Sequence, residues 1–202
     1  SGEILWSPAD PAATHMGRFA AAHGFDPTDY SGLHDWSVAE PDAFWRAVWD
    51  ECGVIGEPGD VVLADASMPG ASWFPDARLN FAENLLRRRD DAPALVFARE
   101  DGERWTISHH ELTAKVARLQ RALVGAGLEP GDRVAAFLPN VPFAVVGMLA
   151  TAASGGVWSS CSPDFGTAGV LDRFGQIEPK FLLAVDGYSY GGKHFDVLER
   201  LG

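Results

Sequence analysis

The chain has 202 residues, 47% apolar and 22% charged, which is ordinary for a soluble globular protein and long enough for one or two domains with a proper core. A formal charge of -12 argues against a nucleic-acid or anionic-membrane surface, because both partners need clustered Lys and Arg. The two distant cysteines, Cys52 and Cys161, match neither a metal spacing nor a disulfide framework, which suits a reducing cytoplasm, and no apolar run approaches the roughly 18 residues of a membrane span.

Residues 1–35 are rich in Pro, Asp, Gly and His, with one short helix predicted from His15 to His23 and capped by Thr14. The rest of that stretch reads as irregular. Pro41 opens a helix to Cys52 that Gly53 closes; Phe44 and Val48 line one stripe and Trp45 and Trp49 the next, an aromatic face for core packing. Residues 53–75 form a Gly/Pro-rich connector with one strand candidate, Val61 to Ala64. Asn80-Phe81-Ala82-Glu83 is a capping box that starts a helix through Arg88, and the cluster Arg87, Arg88, Arg89 suits its negative end.

Ala94 to Arg99 and Arg104 to Ile107 are strand candidates joined around Asp101-Gly102, a dipeptide that favours a two-residue hairpin loop. Ser108 with Glu111 forms a second capping box. Leu112, Val116, Leu119 and Leu123 then mark an amphipathic helix closed by Gly127 and followed by the turn Pro130-Gly131-Asp132.

From residue 133 onwards, three short apolar runs (Val134 to Leu138, Val157 to Cys161, Phe181 to Val185) alternate with helical patterns, Pro142 to Ala153 and Thr167 to Ile177. Buried strands joined by crossover helices make a parallel sheet, so the fold class is α/β. Ligands in such sheets sit beyond the carboxyl ends of the strands, which directs attention to loops 139–142, 162–167 and 186–193.

The phosphate-binding P-loop, the G-x-G-x-x-G fingerprint and the paired-His zinc helix are all absent from the sequence. Gly187-Tyr188-Ser189-Tyr190-Gly191 satisfies G-x-S-x-G, in which a serine hydrolase raises its nucleophile, here Ser189, on a strand-to-helix turn. Against it, Gly191 and Gly192 stand where the helix should begin, and no His follows Asp196. A phosphate or nucleotide contact is the alternative: the glycines allow close backbone approach, Lys193 supplies positive charge, and Tyr188 or Tyr190 offers a flat face. A plain surface turn also satisfies the pattern, and a non-catalytic interaction module using an unpaired sheet edge stays open.

Several segments carry a family resemblance. Leu5-Trp6-Ser7-Pro8, Trp36-Ser37-Val38, Met68-Pro69-Gly70-Ala71, Trp73-Phe74-Pro75 and Ala77 through Leu86 resemble the amino-terminal region of acetoacetyl-CoA synthetases, a branch of the adenylate-forming superfamily. So do Val157 through Gly166, with its Trp-Ser-Ser-Cys-Ser-Pro-Asp-Phe-Gly, and Asp172 through Lys180. The resemblance implies an acid:CoA ligase that uses ATP and Mg²⁺ to form an acyl adenylate and then transfers the acyl group to CoA. It divides the chain into an amino-terminal cap region, 1–90, and the first part of an AMP-binding domain, 91–202. The triphosphate-gripping loop, the acid pocket and the catalytic Lys lie later in the family pattern, so this chain is expected to be an inactive amino-terminal fragment. Its partners would be the acid, CoA, the rest of the adenylation domain and the carboxyl-terminal domain. Position by position, Tyr190-Gly191-Gly192-Lys193 falls on a coenzyme-contacting loop in which relatives carry two arginines, Lys193 taking the place of the second and Tyr190 departing from the first. Ser162-Pro163-Asp164 falls where relatives place an aromatic residue and two glycines against the CoA adenine.

Overall fold

Thr14 starts the first helix, α1 (His15–Ala22), by accepting a hydrogen bond on its side-chain oxygen from the Gly17 amide at 2.9 Å. The structure, a computed structural model, describes residues 6–198 and divides into two compact units, Ser1–Leu79 and Asn80–Gly202. Leu5, at the head of the resemblance, and everything after Leu198 lie outside the described residues.

In the first unit a second helix, α2 (Tyr30–Ala39), begins at the Asp29 cap, within and beyond the stretch expected to be irregular. Composition conceals it: Ser31, Gly32, His34 and Asp35 dilute the apolar period, and Leu33 is its one buried residue. The third helix, α3 (Pro41–Glu51), sends Phe44, Ala47 and Val48 onto a core of Phe19, Ala20 and Leu33. Phe44 meets Phe19 and Trp36 edge-on at 5.9 and 5.2 Å, the geometry that aromatic quadrupoles favour. Trp45 meets Trp73 edge-on at 6.0 Å and Trp49 meets Phe74 in a tilted pair at 5.1 Å, so the aromatic face is packing surface.

Short antiparallel pairs complete this unit: β1 (Gly56–Glu57) with a partner at 78–79, and β2 (Leu63–Asp65) with β3 (Ser72–Trp73), followed by β4 (Arg78–Leu79), the partner of β1. The strand expected at Val61 starts instead at Leu63. Pairing decides this, because Leu63 and Asp65 are the residues that find Trp73 and Ser72 opposite them.

The second unit opens with α4 (Phe81–Leu85), whose Asn80 cap accepts from the Glu83 amide at 3.1 Å while its amide nitrogen donates to the Ala152 carbonyl at 3.1 Å. This helix stops at Leu85 and does not reach Arg88. Arg88 turns to Asp90 in a fork of contacts at 2.9–3.1 Å, so its charge answers a carboxylate and not the helix end.

Next come β5 (Pro93–Ala98) and β6 (Arg104–Ser108), an antiparallel hairpin. Its loop has three residues, Glu100 to Gly102, where the sequence predicts two: Arg99 donates to the Glu103 carbonyl at 2.8 Å, and Gly102 donates to the Arg99 carbonyl with φ +89. A type I turn closed by a left-handed glycine is the usual three-residue solution. The helix α5 (His109–Gly125) then starts with a complete capping box, Ser108 accepting from the Glu111 amide and Glu111 accepting from the Ser108 amide.

The remaining elements are β7 (Arg133–Phe137), α6 (Pro142–Ala153), β8 (Val157–Cys161), α7 (Thr167–Gly175), β9 (Phe181–Ala184), β10 (Gly187–Tyr190) and β11 (Lys193–Asp196). Strands β8, β7 and β9 form a parallel sheet in that spatial order. Central β7 is covered on both faces, which is why its sequence is a continuous apolar run. Val134 joins the core beneath α5 and α6 with Leu112, Val116, Val146 and Leu149. Ala135 and Phe137, one residue out of phase, join the opposite core with Cys161, Phe174 and Val197. Buried side chains of the size of Val134 and Phe137 stabilise by about 1.5–3 kcal/mol each. On α6, Gly147 admits the Trp158 ring so closely that a Cβ would lie 2.6 Å from the indole.

Because α6 lies with the core on one face and α7 with the core on the other, adjacent strands β7 and β8 send their outgoing loops in opposite directions. In parallel sheets, ligands are favoured beyond the carboxyl ends of strands that diverge in this way.

Candidate functional site

The loop that follows β8, between Cys161 and Thr167, is tied down along its length. Pro163 is fully buried, Ser162 donates its hydroxyl to Asp164 at 2.9 Å, and Phe165 receives the Arg173 guanidinium 4.1 Å above its ring. Burial pushes the Cys161 thiol up, against a smaller opposing pull from Arg173, so this cysteine is an inert core residue.

Most of the loop expected at 186–193 is part of a β-hairpin, β10–β11, that spans residues 187–196. Gly191 and Gly192, with φ +59 and +71, make its two-residue turn; paired positive φ values suit the right-handed twist of the strands. Register fixes the faces. Tyr188 opposes Phe195 and Tyr190 opposes Lys193 on one face, while Ser189 opposes His194 on the other. Tyr188 and Phe195 stack at 5.1 Å, Tyr188 packs on the cluster around Phe137 and Val197, and Tyr190 at the outer end is 69% exposed.

This arrangement removes the nucleophile-elbow reading. Ser189 sits within a strand that leads into a second strand, with no helix behind it to stabilise an oxyanion, and its hydroxyl makes no hydrogen bond among the described residues.

Hydrogen bonds link the hairpin to its surroundings at its base and at its tip. The Tyr188 hydroxyl donates to Asp164 at 2.6 Å, bringing the Ser162 loop beside the strand that ends in Tyr190. At the tip, the Gly191 and Gly192 amides donate to the two carboxylate oxygens of Glu100, at 2.9 and 3.1 Å. Two adjacent N–H groups that chelate one anion are a receptor for carboxylate or phosphate. The Lys193 ammonium has no ion pair or hydrogen bond among the described residues, and so its charge is available at the same turn.

The structure therefore joins Ser162, through Asp164 and Tyr188, to the hairpin that carries Tyr190, Gly191, Gly192 and Lys193. Asp164 and Tyr188 were within segments that the sequence singles out, but Glu100 was not. No local pattern marks a carboxylate that meets its amides 91 residues further along the chain.

A separate groove of about 470 Å³ lies between β6, α5 and the start of α6, lined by residues that include Trp105, Ile107, Lys115, Leu119 and Phe143. None of the coenzyme candidates lines it. Among the described residues no group of three His, Cys, Asp or Glu is placed to hold a metal ion.

A doubly wound parallel sheet with polar loops gathered at its carboxyl edge defines a ligand-binding α/β domain. The chain belongs to the AMP-binding enzyme family, whose model matches residues 81–200, and a second family model, acetyl-coenzyme A synthetase N-terminus, matches residues 30–85. The acetoacetyl-coenzyme A synthetase of Rhizobium meliloti (strain 1021) is 50% identical over 200 residues, covering 96% of this chain and 31% of that protein. The acetoacetyl-CoA synthetase of Gallus gallus is 39% identical across 98% of this chain and 31% of its own length. A malonamoyl-CoA synthetase of Penicillium aethiopicum is 37% identical over 98% of this chain and 29% of its own. The solved structure of acetoacetyl-CoA synthetase from Streptomyces lividans superposes with a TM-score of 0.91 at 47% identity, over 99% of this chain and 33% of that one. The chain thus spans about a third of the length of the relatives it matches. These matches support neither a serine hydrolase nor a stand-alone interaction module.

Proposed function

We propose that this chain is the amino-terminal part of an ATP-dependent acid:CoA ligase that activates acetoacetate, and that it contributes the coenzyme rim of that enzyme. The observation that carries the proposal is the match along nearly the whole chain to acetoacetyl-CoA synthetases, at up to 50% identity, among the relatives described above. Residues 1–90 form the cap region and residues 91–202 the first part of the AMP-binding domain.

ATP with Mg²⁺ supplies the activation, converting the acid to an acyl adenylate and pyrophosphate, and the CoA thiol then displaces AMP to give the thioester. The residues of this chain bind and orient. Lys193 holds a coenzyme phosphate as a point charge, with looser geometry than an arginine fork provides. The Gly191 and Gly192 amides take its oxygens, and Tyr190 offers a flat face beside Lys193. Ser162 borders the adenine end without stacking on it. The acid, the remaining adenylation domain and the carboxyl-terminal domain are the partners, in a reducing cytoplasm where Cys52 and Cys161 stay as thiols.

The test is ATP:pyrophosphate exchange with acetoacetate. The enzyme that continues this chain to the length of its relatives is expected to exchange, whereas the 202-residue chain alone is not. Exchange by the isolated chain overturns the assignment of activation to the remainder.

A further inference from the structure

The geometry points to Glu100 as an affinity-setting residue of the coenzyme rim: its carboxylate occupies the Gly191–Gly192 amide pair that an incoming phosphate takes, so that binding proceeds by exchange of one anion for another. This inference rests on the coenzyme reading of the hairpin.

Three observations carry it. First, the contact is bidentate, one carboxylate oxygen to each amide at 2.9 and 3.1 Å, and a phosphate presents a pair of oxygens at nearly the same separation. Second, Glu100 has no cation of its own among the described residues. The adjacent Arg99 is engaged by Asp101 at 2.7 Å and Glu103 at 2.8 Å, which leaves the two amides as the only hydrogen-bonding anchor of the Glu100 side chain among the described residues. Third, both partners are exposed turn residues, Glu100 in the β5–β6 loop and the glycines at the hairpin tip, so exchange needs no opening of the core.

An exposed carboxylate held only by amides competes weakly. It lowers the affinity for weak anions while a phosphate dianion, with Lys193 beside the turn, displaces it. The carboxylate thereby lowers the apparent affinity of any anion that takes the amides, and leaves unaffected a neutral pantetheine arm, which gains nothing there.

The experiment is titration of ¹⁵N-labelled 202-residue chain, native and E100A, with CoA, with inorganic pyrophosphate and with pantetheine, following the Gly191 and Gly192 amide resonances. Glu100→Ala is expected to shift both resonances before any ligand is added. It is also expected to tighten CoA and pyrophosphate about fivefold, the ceiling for a solvent-exposed charge contact, and to leave pantetheine without a saturable effect in either protein. Equal affinity of native and E100A chains for CoA and pyrophosphate overturns the exchange, even where CoA binding itself persists. If CoA leaves both glycine amides unmoved while pyrophosphate binds E100A more tightly, the exchange stands and the coenzyme reading falls.

Discussion

Tyr188 donates its phenolic hydroxyl to Asp164 at 2.6 Å, joining the β10–β11 hairpin to the loop that follows β8. The two segments are separated by α7 and β9 in sequence. Because Ser162 holds the other oxygen of the same carboxylate at 2.9 Å, one side chain positions both halves of the proposed coenzyme rim.

Tyr188→Phe keeps the stack on Phe195 and removes the donor. It is expected to cost about 0.5–1.5 kcal/mol of stability in denaturant unfolding. Amide hydrogen exchange in residues 162–166 should accelerate while β7 keeps its protection. Unchanged exchange in that loop would show that Pro163 and the core alone hold it.

A second prediction concerns the sheet edge. Lys180, just before β9, donates to Asp132 at 2.7 Å and to the Gly127 carbonyl, clamping the end of α5 and the entry to β7. The Lys180 ammonium, with help from the Glu129 amide, holds the Asp132 carboxyl below the usual carboxylate range. A depressed native value means that the contribution is complete above the unfolded value of about 3.9 and is lost as pH falls through the lower native one. Lys180→Met should therefore reduce the difference in urea midpoint between about pH 6 and about pH 3. An undiminished acid slope would assign it to the other lowered carboxyls, Asp26, Asp65 and Asp90.

Packing between α6 and β8 gives a third. Gly147→Ala places a methyl 2.6 Å from the Trp158 ring and 3.2 Å from Leu183, and neither neighbour is at the end of a long flexible chain. Overpacking of this kind costs about 1–3 kcal/mol, measurable as a lowered denaturation midpoint with a changed Trp158 environment.

Legibility of the sequence followed the range of the forces involved. Local rules were readable: the Thr14 cap, the Ser108–Glu111 box, the Pro41 helix start and the double-sided burial of β7 are each written in a few adjacent residues. α2 escaped because only Leu33 among its residues is buried, which leaves no apolar period to detect. The hairpin at 187–196 escaped for a different reason. A glycine-bounded G-x-S-x-G is compatible with an elbow, a loop or a tight turn, and pairing of Tyr188 with Phe195 is what selects among them. Of the candidate site, the glycines, Lys193 and Tyr190 of the hairpin were readable as one alternative, a phosphate contact, while Ser162 and the CoA assignment came through resemblance to a family and the Glu100 contact is purely tertiary.

The account turns on Lys193 and the glycine turn serving the coenzyme and not the activation of the acid. In the full-length enzyme that contains this chain, Lys193→Glu reverses the charge opposite Tyr190. The decisive measurement is the KM for CoA in thioester formation beside the KM for acetoacetate in ATP:pyrophosphate exchange. The account predicts a rise of roughly tenfold for CoA, the effect of about 1.4 kcal/mol, with acetoacetate unmoved; equal changes in both, or none in CoA, would contradict it.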